Sequence, residues 1–201
     1  GGERLADVLM YHHLIDELRF DEAGQVLDRL LASGRRNPHL RVLEAEYALQ
    51  MHAHGRAGDW LERAGRASHA AVASGAAGWR GQMVRSRWND VSGNTREALL
   101  CAKLALEDEQ APRSAWERGI ALAEKLGDRG EMGQLLEGAK AHGFLDGNGL
   151  YTLGMSRLSE GRLPEAIADL EGAQRSGHSG LSVRAANALV VLYRERLDFE
   201  K

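Results

Sequence analysis

The sequence predicts an all-α solenoid of antiparallel helix pairs, and three observations carry that expectation. Alanine, leucine, glutamate and arginine dominate, aromatic residues make up 5%, and only three prolines occur (Pro38, Pro112 and Pro164), a composition that favours helices throughout. Strand signals are missing. The short apolar run Ala188-Leu189-Val190-Val191-Leu192 sits in a helical stretch that Tyr193 and Leu197 continue, and no segment alternates β-branched with polar residues. Third, a unit of helix, glycine turn and helix recurs about five times and leaves one opening helix at the end.

Along the chain, the first second-helix stripe is Ala23, Leu27 and Leu30 behind Phe20, a pattern that faces one side of a helix. Gly55 precedes the next stripe, Trp60, Ala64 and Ala67. The offsets here are 37 residues from Ala23 to Trp60 and 38 from Trp60 to Ala98, which implies longer second helices or loops. Gly93 precedes Ala98, Ala102 and Ala105, and Gly127 precedes Met132, Leu136 and Ala139. In the clearest unit, Leu150, Leu153 and Leu158 share a face with Gly154 as a close-contact residue. Gly147 and Gly149 read as the turn before it. Gly161 ends that helix, Pro164 opens the next where its missing N–H costs little, and Ala166, Leu170 and Ala173 form the stripe. Ala98, Met132 and Ala166 follow one another at 34 residues. Neither helix of such a pair can bury its face alone, so neighbouring pairs must stack. VRAANALVVLYRERLDFEK then opens a further unit and stops after Phe199-Glu200-Lys201, where a second helix is due. Residues 1–201 therefore read as a single array within a longer chain.

Composition narrows the function classes. The formal charge of −3 and pI near 6.3 provide no global attraction to nucleic acid or to an anionic membrane. Cys101 is the single cysteine, so it can form no intramolecular disulfide and reads as a small buried side chain; cytoplasm and bacterial periplasm are both compatible with it. No apolar run approaches the roughly 20 residues needed to span a bilayer, and the N-terminal GGERLAD lacks the segments of a secretory signal.

Catalytic raw material is sparse. His12 and His13 are adjacent and point about 100° apart on a helix, while His52 and His54 point to nearly opposite sides, so neither pair makes the i, i+4 bite of a helical zinc site. GNGLYTLG, residues 147–154, has the wrong spacing for a dinucleotide-binding loop and follows no strand. Walker-type, HExxH and GxSxG signatures do not occur. No catalytic residue, metal site or cofactor is expected. Trp60, Trp79, Trp88 and Trp116 lie among helical apolar positions and read as packing residues, with Trp79 the most open as it follows GAAG at a helix start.

The repeat units resemble tetratricopeptide repeats, on the strength of Trp116 as the early aromatic, Gly154 as the small helix-crossing residue, and Ala166 and Ala173 as small residues of a second helix. Bulky Trp60 departs from the pattern. The resemblance implies a right-handed superhelix, with the first helix of each pair lining a concave groove that receives a protein or peptide. It places His12, Arg80, Met83, Arg87, Glu117, Arg118, Tyr151, Met155, Arg184 and Asn187 on or near that groove. Arg80, Arg87, Arg118 and Arg184 then form a local basic strip suited to carboxylates, and an acidic peptide segment becomes the expected ligand. The family's carboxylate clamp uses Lys and Asn on first helices; Val8 and His12 stand there instead, so that clamp is not expected. The implied function is a non-catalytic interaction scaffold. Bacterial exopolysaccharide-export proteins, and enzymes such as glycosyl- or sulfotransferases with an accessory array, are the alternatives. Direct carbohydrate contact through Tyr151, Trp79 and the arginines is a third.

Overall fold

The computed structural model describes residues 2–34, 37–73, 75, 77–176 and 179–199. Among these there are eleven helices and no strand, in agreement with five pairs and one further helix. They are α1 (Gly2–Asp16), α2 (Phe20–Ser33), α3 (Pro38–Ala53), α4 (Trp60–Ala73), α5 (Gly78–Val91), α6 (Thr95–Ala105), α7 (Arg113–Leu126), α8 (Arg129–Ala141), α9 (Gly147–Ser159), α10 (Leu163–Arg175) and α11 (Ser179–Phe199). Glu200 and Lys201 lie outside the described residues. No described helix is long and apolar enough to cross a membrane. The chain divides into two compact units, Gly1–Ala115 and Trp116–Lys201.

In the first unit α1 packs on α2, α3 on α4 and α5 on α6. Gly55 and Gly93 turn the chain between first and second helix with φ of +64° and +84°. Each turn closes in the same way: the glycine N–H donates three residues back, and the next N–H donates five residues back, as in Gly93 to Asp90 and Asn94 to Asn89. In the first pair that position belongs to Leu18, at φ +59°, the sole non-glycine residue with positive φ among those described. Its N–H reaches Ile15 and that of Arg19 reaches Leu14, so the turn is the same and only the glycine is missing. The left-handed conformation costs an L-residue about 1–2 kcal/mol, and Leu18 is 62% exposed, so no burial offsets it. Leu18→Gly is therefore expected to raise the melting temperature by about 2–4 °C in a circular-dichroism melt; an unchanged or lower midpoint would show that the strain is absent.

Turn residues Leu18, Gly55, Gly93, Gly127 and Gly161 recur at 37, 38, 34 and 34 residues. The longer spacings have a physical source in the connection after Gly55, where Arg56–Asp59 precede α4, and in second helices α2 and α4 of 14 residues against 11 in α6. The predicted stripes are buried: Ala23, Leu27, Ala64, Ala98, Ala102 and Ala105 are fully inaccessible. Trp60 departs from the repeat pattern because it fills a different space, packing edge-on to Tyr47 with centroids 5.7 Å apart. Close helix crossings rest on small residues: a Cβ on Gly65 would lie 2.8 Å from the Trp88 ring. Trp88 in turn donates its indole N–H to the Leu61 carbonyl at 3.0 Å. Cys101 is buried as expected, and burial pushes its thiol pKa up.

In the second unit α9 packs on both α8 and α10, and α10 on α11. Gly127 and Gly161 again take the turns at φ +69° and +76°. Gly154 is the close-contact residue anticipated, since its Cβ would meet Leu170 Cγ at 2.9 Å. One expectation is corrected. Gly147 and Gly149 do not form the turn between units; they are the start of α9, because the Asp146 side chain accepts the Gly149 N–H at 2.8 Å and caps the helix. Gly143, at φ +71°, makes the turn. Gly147 must be small all the same, as a Cβ there would collide with Ser176.

The second unit also buries an ionic cluster. Asp169 on α10 is 1% exposed and receives Arg157 Nη1 from α9 at 2.7 Å, with Lys140 of α8 on its other oxygen. Arg157 continues to Glu137 at 3.0 Å, and Glu137 to Arg162 at 2.7 Å. Hydrogen bonds from Arg162 and then Arg157 hold the Glu137 carboxyl below its usual pKa.

Candidate functional site

Helices α1, α3 and α5 of the first unit surround a cleft of about 580 Å³. Their local chemistry sets where it opens. Pro38 occupies the first turn of α3, and the Asn37 side chain accepts the His39 N–H at 3.0 Å. At the start of α5, the Trp79 N–H donates to Asp108 at 3.3 Å, and Gly81 lets that helix approach the Ala71 carbonyl.

Four of the sequence-predicted residues, His12, Arg80, Met83 and Arg87, line this one cleft, together with Val8, Trp79 and Glu46. Counting back from each turn residue explains the grouping. His12 and Arg87 each stand six before their turn, Val8 and Met83 ten before, and Val42 and Arg80 thirteen before, spacings that fall on one helical face. Met83 is buried floor, packed with Ala105, Ala111 and Ala115, and is not a free groove side chain. Arg80 lies with its guanidinium carbon 4.5 Å over the Trp79 ring. The stacking holds the guanidinium in place.

Glu46 was not among the predicted residues. Its carboxylate is 3.8 Å from Arg87 Nη1 and half-buried at the cleft wall. Burial pushes its pKa up, while Arg87, His12 and Arg80 pull it back. Tyr11 beside it donates its hydroxyl to the Leu43 carbonyl at 3.2 Å, and burial together with the Glu46 charge raises the phenol pKa above its ordinary value. The cleft is therefore not a plain basic strip; one acid sits among its cations. In the sequence the only signal for Glu46 is its place one helical turn beyond Leu43.

The remaining predicted residues belong to the second unit. Arg184 has its guanidinium carbon 4.7 Å over the Tyr151 ring, Met155 is 38% exposed, Glu117 and Asn187 are exposed, and Arg118 is half-buried. A guanidinium thus covers one face of both Trp79 and Tyr151, which removes that face from stacking on a sugar.

No protein-family model matches the sequence, and no curated protein matches it. Solved structures do. The chain is similar to PilW, a widely conserved type IV pilus biogenesis factor, at 13% identity and TM-score 0.63, over 88% of this chain and 78% of that one. It is also similar to a thermophilic TPR protein of Thermus thermophilus, at 22% identity and TM-score 0.57, over 93% and 99% of the two chains. A third likeness is to YrrB, a TPR protein with an unusual peptide-binding site, at 16% identity and TM-score 0.61, over 85% and 83%. With eleven helices among the described residues and turns that recur at 37, 38, 34 and 34 residues, these likenesses show a tetratricopeptide-like, all-α helical-repeat fold.

Proposed function

We propose that the chain is a non-catalytic interaction scaffold that receives a peptide segment of a partner protein in the cleft on α1, α3 and α5, with Arg80 and Arg87 taking up its carboxylate groups. The observation that carries this reading is a cleft whose apolar floor, Met83 and Leu40, lies beside cations with open hydrogen-bonding capacity. Arg80 has no carboxylate partner within 4 Å among the described residues, and Arg87 makes only the long contact to Glu46. An apolar anchor gives affinity and a guanidinium gives orientation, which is the economy of most peptide sites. YrrB, of similar fold, has a peptide-binding site of its own.

The test starts from peptides selected on the intact chain from a displayed library of randomised sequences. Arg80→Ala/Arg87→Ala is expected to weaken their binding by about tenfold to a hundredfold, as a shielded charge-assisted contact contributes about 1.5 kcal/mol or more. Melting temperature should stay within about 2 °C, since exposed arginines add little stability. Binding by the native chain should also weaken as salt rises, and the variant should lose that dependence. Equal affinities of native and variant chains would remove the cleft from the binding site.

A further inference from the structure

Resting on the cleft reading, we infer that Glu46 makes this site selective for a peptide determinant that joins a carboxylate to a neighbouring cation, and against a run of acidic residues. The titratable and charged groups lining the cleft are His12 from α1, His39 and Glu46 from α3, and Arg80 and Arg87 from α5, with the phenol of Tyr11 buried behind Glu46 and donating to the Leu43 carbonyl. Glu46 lies 3.8 Å from Arg87, beyond hydrogen-bond length, and accepts no hydrogen bond among the described residues. Its carboxylate thus faces the cleft with its acceptor capacity unused, in a half-buried place where an anion is poorly hydrated.

A ligand carboxylate that engages Arg87 draws that guanidinium away from Glu46. Two carboxylates then share a partly desolvated wall, and the second has nothing to neutralise it. A ligand lysine or arginine beside the acidic residue resolves the conflict by donating N–H groups to Glu46, while the ligand acid pairs with Arg80 and Arg87. Charge counting agrees: two guanidiniums and one carboxylate in the wall are matched by a ligand carrying both signs, and an all-acidic ligand meets repulsion at Glu46. Specificity of this kind comes from the repulsive element as much as from the attractive one.

The experiment selects displayed random peptides on the intact chain and on Glu46→Gln, a nearly isosteric change that removes the charge and keeps an acceptor. Native-chain peptides are expected to carry Asp or Glu close to Lys or Arg, and Glu46→Gln peptides to drift toward acidic runs. A synthetic copy of one native-chain peptide with its Lys replaced by Glu should bind the native chain at least about tenfold more weakly, and Glu46→Gln nearly as well as the parent peptide. Acidic runs selected by the native chain, or the same ratio of the two peptides on both proteins, would overturn the inference. If those peptides still need Arg80 and Arg87, the cleft reading stands and only the role of Glu46 falls. A library yielding no peptide sensitive to Arg80→Ala/Arg87→Ala would overturn both.

Discussion

Leu170→Asp is expected to abolish the cooperative packing of the second unit. Leu170 is fully inaccessible, clusters with Leu189 and Leu192, and seats its side chain against Gly154 where α9 and α10 cross. Truncating such a leucine to alanine costs about 3 kcal/mol, and the aspartate adds a charge that finds no cation prepared for it. The sum, about 5 kcal/mol or more, is of the order of the whole stability of a small domain. Urea denaturation followed by circular dichroism should show a lost or strongly shifted transition, with Leu170→Ala intermediate. A midpoint that matches the native chain for Leu170→Asp would mean that the α9–α10 crossing is not packed through Leu170.

What could be read from the sequence divides along physical lines. Gly55, Gly93, Gly127 and Gly161 were legible because a left-handed backbone leaves a mark in residue type, and the alanine stripes because close helix approach permits only small side chains. Leu18 was not legible as a turn, since it takes the same conformation without the residue that signals it. Gly147 and Gly149 were misplaced because glycine marks both turns and close contacts, and the Asp146 cap decides which. His12, Arg80, Met83 and Arg87 came to notice through the repeat resemblance, which implies a groove lined by first helices. Glu46 did not, for a charged residue on a half-apolar helix reads as solvated until the neighbouring helices close over it. The same reason hid the ionic cluster of the second unit, whose members Arg157 and Asp169 meet only once the α9–α10 hairpin has formed.

That cluster leads to the second large effect. Asp169→Asn should destabilise the second unit by about 3 kcal/mol, because it removes the charge that balances Arg157, itself only 9% exposed, while leaving that cation buried. Lys140, with 40% of its side chain exposed, can turn to water and lose little. Arg157 cannot, and among the described residues it keeps one carboxylate, Glu137, which Arg162 shares. Because the cost lies in an uncompensated charge and not in the pair as such, replacing both partners by apolar residues should recover most of it. Asp169→Leu/Arg157→Met is therefore expected to melt closer to the native chain than either single change, with the single changes lowered by about 6–12 °C. Acid should act on the same cluster in a definite direction. The folded-state pKa of Glu137 is held below its ordinary 4.5, so its contribution is present above that pH and fades as the pH falls through the lower folded value. A Glu137→Gln chain should show a shallower loss of stability across that range, measured as melting temperature against pH. If the double change melts below both singles, the pairing of Arg157 with Asp169 contributes shape as well as charge balance, and the apolar replacement has left a cavity between α9 and α10 that the surrounding leucines cannot fill.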